Sequence, residues 1–239
     1  TSLCENNANT NYSATGSANA TTYLWSIYPA AAGNITGTTA SATVDWTNTF
    51  TGIAKISVIG INACGNSVSS DSLTVTINSL PVKPATPSGS TVLCENNINT
   101  TYTTTGSSNA TSYSWSVYPS TAGNISGTTT SMTIDWNNTF TGIAKIAVKG
   151  VNACGSGVVS DTLDVTVNPL PLKPSTPTGS TVLCQGSAAT NYNTAGSTYA
   201  TAYLWSLSPA TAGSISGTSV NSTITWNAAF SGTAKIAVK

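Results

Sequence analysis

Apolar and polar residues alternate along this chain with a period of two. Tyr113, Trp115 and Val117 share one face of a run whose intervening positions are Ser114 and Ser116. Met132, Ile134 and Trp136 behave alike. So do Ala144, Ile146 and Val148 against Lys145 and Lys149, and Leu163, Val165 and Val167 against Thr162, Asp164 and Thr166. This is the period of a half-buried β-strand, because successive side chains leave a strand on opposite faces. No stretch has the helical period. Turn-forming Gly, Pro, Asn and Ser separate the runs, so the pattern predicts an all-β sandwich of about seven short strands per unit.

The unit recurs without gaps every 90 residues: Leu3-Cys4 returns as Leu93-Cys94 and Leu183-Cys184. Tyr23, Trp25 and Pro29 return as Tyr113, Trp115, Pro119 and as Tyr203, Trp205, Pro209. An invariant period marks an array in which each unit is one fold. Three domains are expected, over 1–81, 82–171 and 172–239, the last without its final strand because the counterpart of Leu163 to Val167 falls past residue 239. That leaves a sheet edge to be completed by further sequence or by a strand from another subunit. Between copies, Pro81, Pro84 and Pro87 predict an extended, semi-rigid linker that strings the modules out into a rod on the order of 100 Å long.

Composition narrows the function classes. Charged residues make up 6% of the chain, with seven Lys, no Arg, no His and seven acidic residues. Nucleic-acid binding and attraction to anionic membranes both need clustered cations, so neither is expected. No apolar run reaches the length of a membrane span. Without His or Arg, a Ser-His-Asp triad cannot be built, and the only central carboxylates, Asp45 and Asp135, have Thr225 as their counterpart in the third copy. No enzyme activity, no metal and no cofactor are expected, and no Asp-x-Asp cluster offers calcium a cage.

The five cysteines are Cys4, Cys64, Cys94, Cys154 and Cys184. Read copy by copy, they form one pair per complete repeat at a separation of 60. This predicts disulfides Cys4–Cys64 and Cys94–Cys154, each worth roughly 4 kcal/mol through loop closure, and an oxidising, extracellular location. Cys184 is left unpaired, its partner falling five residues past the end of the sequence at position 244.

Aromatic faces suit sugar rings, and two sets of aromatic residues divide between core and surface. Trp25 and Trp46 sit on the apolar face and are expected in the core, their indole N–H groups needing acceptors. Tyr28 and Tyr118 fall beside Pro29 and Pro119 at a strand end, where Ser208 replaces them in the third copy, and are expected to be exposed and available to a ligand such as a glycan. The sequon Asn109-Ala110-Thr111 is of a kind that arises by chance in so Asn- and Thr-rich a chain.

The run Leu93-Cys94, Tyr113-Ser114-Trp115-Ser116-Val117-Tyr118-Pro119, Gly123-Asn124-Ile125-Ser126-Gly127, Ile134-Asp135-Trp136, Gly142 and Asn152-Ala153-Cys154-Gly155 resembles the PKD-like tandem domains of very large Bacteroidota surface proteins. The resemblance spans every copy. It implies an immunoglobulin-like fold in a protein exported by the type 9 secretion system, of the gliding-motility adhesin kind. Asp71-Ser72-Leu73 and Asp161-Thr162-Leu163 resemble the sites at which Bacteroidota attach O-glycans, which makes Ser72 and Thr162 candidates for modification. The expected role is an extracellular stalk or adhesive spacer. Its partners are neighbouring repeats, surface glycans or other cells, and further copies of itself. The alternatives are a carbohydrate-binding accessory module of a secreted enzyme and a filament subunit completed by strand exchange.

Overall fold

The computed structural model describes residues 1–239. Regular structure is almost entirely strand, and helix is confined to short 3-10 turns at Ala30–Ala32, Ser120–Ala122 and Ala210–Ala212. Each turn follows a cis X-Pro peptide, at Pro29, Pro119 and Pro209. The chain divides into two compact units, one formed by Thr1–Thr91 with Asn97–Thr166 and the other by Val92–Asn96 with Val167–Lys239.

In the first repeat the strands are β1 (Ser2–Cys4), β2 (Thr10–Ser13), β3 (Thr22–Tyr28), β4 (Gly33–Thr36), β5 (Ser41–Trp46), β6 (Gly52–Asn62), β7 (Gly65–Asn66) and β8 (Leu73–Asn78). They form two sheets. One has the order β1-β8-β6-β3 with β7 hairpinned onto β6, and the other has the order β2-β5-β4. All neighbours are antiparallel except β1 and β8, which run parallel with Cys4 opposite Asn78. Alternation decides what each strand buries. Ala42, Val44 and Trp46 of β5 face Trp25 of β3, Ala54 and Ile56 of β6, and Val75 and Ile77 of β8 in a single core. The indoles find acceptors at the sheet rims: Trp25 Nε1–H donates to the Thr39 carbonyl at 3.0 Å, and Trp46 Nε1–H to Thr10 Oγ1 at 3.2 Å.

The second repeat repeats the scheme. Ser112–Tyr118 pairs with Gly142–Asn152 with Trp115 opposite Val148, the register that places Trp25 opposite Val58. Trp115, Met132, Ile134, Ile146, Val148 and Val165 are buried. Both repeats of this unit are therefore immunoglobulin-like sandwiches.

In the second unit, Thr190–Asn193, Asn221–Trp226 and Gly213–Ser216 form one sheet, while Trp205–Ser208 pairs only with Lys235–Val238. Its core cluster is Tyr192, Trp205 and Ile224, and Ile236, whose counterparts Ile56 and Ile146 are sealed, is half-buried. A groove of about 480 Å³ opens beside it, lined by Leu183, Tyr192, Trp226, Phe230 and Ile236. The last strand of the other repeats, carrying Val75 and Ile77 or Val165 and Val167, has no counterpart within the chain here.

Candidate functional site

The long strand β6 carries the two ends of a repeat far apart. Its eleven residues span about 35 Å at strand rise. At its start lie the ends of β1 and β8, so Cys4 sits beside Asn78 at this pole. At its finish the chain turns through Asn62-Ala63-Cys64-Gly65 into β7, and Cys64 therefore sits at the opposite pole. The expected disulfide within a repeat cannot form, because its two sulfurs are held on the order of 30 Å apart.

The structure instead joins Cys4 to Cys154, with Cα atoms 5.4 Å apart and 150 residues between them in sequence. This corrects both expected pairs. Cys64 and Cys94 are free and exposed, as is Cys184. The pairing links the near pole of one repeat to the far-pole hairpin of the next. Sequence spacing alone could not separate the two schemes, since in an array of period 90 a partner 60 residues away and one 150 away recur with equal regularity.

The hairpin that holds Cys154 is built locally. The Asn152 side-chain oxygen accepts the Cys154 backbone N–H at 2.8 Å, fixing the tip as an Asn turn, and Asn62 does the same for Cys64 at 2.8 Å. In the second repeat the Asn152 amide also donates twice, to the Asn109 carbonyl at 2.8 Å and to the Ser79 carbonyl of the incoming linker at 2.9 Å. The linker then packs along the second repeat. A Cβ at Gly150 would meet Pro81 Cβ at 2.8 Å, and one at Gly155 would meet Leu80 Cδ2 at 3.5 Å, so glycine at 150 is what admits the proline. Val82 N–H donates to the Ser108 carbonyl at 3.0 Å, and Ser107 Oγ bonds back to the Val82 carbonyl.

Pro81, Pro84 and Pro87 are all buried, although their neighbours Val82, Lys83, Ala85 and Thr86 are exposed. A spacing of three matches the turn of a polyproline II helix, which puts every third residue on one face. Lys83, on the exposed side, pairs with Asp161 at 2.8 Å. Further along, the Tyr102 hydroxyl donates to the Ser90 carbonyl at 2.9 Å. The linker that the sequence marks as a spacer is therefore part of a junction made by a disulfide, hydrogen bonds and proline burial.

The other singled-out residues are dispersed. Tyr28 is 75% and Tyr118 74% exposed, each at the end of a strand against its proline, so their rings face solvent. Asp45 and Asp135 lie on outward strand positions. Asp135 borders a shallow polar groove of about 440 Å³ with Asn124, Asn137 and Asn138. Ser72 and Thr162 are exposed, Leu163 is half-buried, and Leu73 is more open than the alternation implies. No three His, Cys, Asp or Glu side chains come together in an arrangement suited to a metal ion. No helix is long and apolar enough to cross a membrane.

A family model described as a PKD-like domain matches residues 1–75, 80–165 and 170–239. No curated protein matches the chain in sequence. Among solved structures, a marsupial T cell receptor is 15% identical, with 99% of this chain and 97% of that chain covered and a TM-score of 0.48. Titin domains A168-A170 are 13% identical, with 91% and 82% covered and a TM-score of 0.37. A protocadherin gammaB7 EC3-6 structure is 13% identical, with 97% and 63% covered and a TM-score of 0.41.

Proposed function

From the premise that this chain belongs to the PKD-like domain family, present as three tandem copies, we propose that it is an extracellular stalk of a bacterial surface adhesin. The observation that carries this reading is the Cys4–Cys154 disulfide between successive repeats. When the chain is pulled from its ends, tension passes from Thr1 to Cys4 and across the two sulfurs to Cys154. The residues between them, almost the whole of two sandwiches, stay out of the path of force. A spacer that must hold its length under shear gains from such a bypass, whereas a catalytic domain has no use for it. An exterior with few charges and an oxidised junction suit a location outside the cell. The resemblance to Bacteroidota surface repeats supports reading it as a type 9 secretion substrate that serves gliding or attachment.

Single-molecule force extension tests the reading. At about 3.4 Å per residue, the separation of 150 residues hides roughly 500 Å of contour length. The oxidised chain should therefore extend roughly 500 Å less than the reduced chain before detaching. An extension that is the same with and without reductant would remove the mechanical argument.

The exposed rings of Tyr28 and Tyr118 favour a second reading, in which the repeats bind glycans by stacking sugar on aromatic faces. Titration of the full chain with a glycan panel decides it. Saturable binding that disappears in the Tyr28→Ala, Tyr118→Ala double variant supports the module, and no saturation leaves the stalk alone. O-glycosylation at Ser72 and Thr162 adds mass to protein from the native host, and an unmodified intact mass would exclude it.

A further inference from the structure

The far pole of the first repeat is built like that of the second. A pocket of about 270 Å³ opens there, lined by Ala20, Gly60, Asn62, Cys64, Gly65 and Ser67 among others. In the second repeat the corresponding space beside Gly150 and Gly155 is filled by Leu80 and Pro81. Two polar groups repeat the contrast. Asn62 donates from its amide to the Asn19 carbonyl at 3.0 Å, whereas Asn152 makes that bond and a second one to Ser79. Cys64 is a free thiol where Cys154 is bonded to Cys4.

We propose that this pole of the first repeat is a docking site for a further copy of the same repeat. That copy's Ser-Leu-Pro segment enters the pocket, and its near-pole cysteine, the counterpart of Cys4, closes a disulfide with Cys64. The Ser carbonyl takes the second Asn62 N–H. Ser67 stands where the second repeat has Gly157, a glycine pressed against the Pro81 carbonyl, so the incoming proline seats further out here. The sulfur chemistry is thiol–disulfide exchange with a small disulfide such as oxidised glutathione. The Cys64 thiolate attacks it and expels one thiol. The incoming cysteine's thiolate then attacks the mixed disulfide and expels the second, so two protein thiols are oxidised and one small disulfide is reduced. The same rule pairs Cys94 and Cys184 with hairpins of later copies and makes the staple continuous along an array.

The proposal rests on the stalk reading, since both need the inter-repeat pairing. It is tested by joining a second copy of residues 1–90 directly ahead of Thr1 of the full chain and refolding in a glutathione redox buffer. Peptide mapping should then find the added copy's near-pole cysteine bonded to Cys64, with Cys64 alkylation down at least tenfold from the 239-residue chain. Ser67→Gly should raise the yield of that bond further. In a Cys64→Ser version, residues 60–67 should still gain protection from hydrogen exchange, because docking precedes the bond. Full alkylation of Cys64 while Cys4–Cys154 forms in the same sample would overturn this proposal alone. Loss of Cys4–Cys154 as well would overturn the stalk reading with it.

Discussion

Cys64 and Cys154 occupy the same place on hairpins of the same construction, yet one is a solvent-facing thiol and the other is half of a disulfide. The hairpin does not make the difference, because the Asn turn and the glycine after it are present in both. What differs is the neighbour. The second repeat has Leu80, Pro81 and Cys4 packed on its far pole. The pole is thus a receptor surface, and its chemistry is completed only by another repeat.

The largest expected effect follows from breaking the bond itself. Cys154→Ser and Cys4→Ser should each lower stability to denaturant by up to about 5 kcal/mol, the loop-closure value for a 150-residue separation. Cys64→Ser, on the same hairpin one repeat earlier, should change it by less than ~0.5 kcal/mol. A denaturant titration of the three variants side by side reads the contrast.

The two tyrosines sharpen the comparison through alkaline pH. Burial pushes the Tyr102 phenol up to about 12, and raises Tyr12 as well. Below pH 10 the folded and unfolded states both keep the Tyr102 proton, so stability is unaffected. Between about pH 10 and 12 the unfolded chain loses it first, and stability should fall by roughly 2–3 kcal/mol as pH rises. Tyr102→Phe should abolish that fall at a cost of about 1 kcal/mol near neutrality, the value of the bond to Ser90. Tyr12→Phe should cost nothing, since its hydroxyl has no partner to lose. Thermal melts across pH 8–12 test both.

Gly150→Ala should cost about 2 kcal/mol, because the added methyl meets Pro81 at 2.8 Å and Ala110 at 2.9 Å. Gly60→Ala meets Ala20 at 2.9 Å but no proline, so it should cost less and leave the junction's susceptibility to reductant unchanged. The smallest effect belongs to Lys83→Ala. Its pair with Asp161 lies in solvent, and removing it should shift stability by less than ~0.5 kcal/mol and vanish in high salt.

Much of the sandwich was legible in the sequence. Alternation placed Trp115, Met132, Ile134, Trp136, Ile146, Val148, Val165 and Val167 on apolar faces, and all are buried. The outward faces of Lys145 and Asp164 followed from the same period, and the two meet across strands at 2.8 Å. Cysteine pairing was not legible, because a periodic sequence fixes spacing only up to whole repeats, and the choice depended on how far β6 carries one pole from the other. The linker was half legible. Three prolines announced an extended segment, but their common spacing of three, which lays them on one face, was the overlooked sign that the segment packs. The hydroxyls of Tyr12 and Tyr102 could not be told apart, since the Ser90 carbonyl that partners Tyr102 lies outside its strand pair and Tyr12 has no partner.

Disulfide mapping of the oxidised chain by proteolysis and mass spectrometry, with free thiols alkylated first, tests the central claim most directly. The account predicts one bonded pair, Cys4 with Cys154, and alkylated Cys64, Cys94 and Cys184. Recovery of Cys4 bonded to Cys64 together with Cys94 bonded to Cys154 would contradict it.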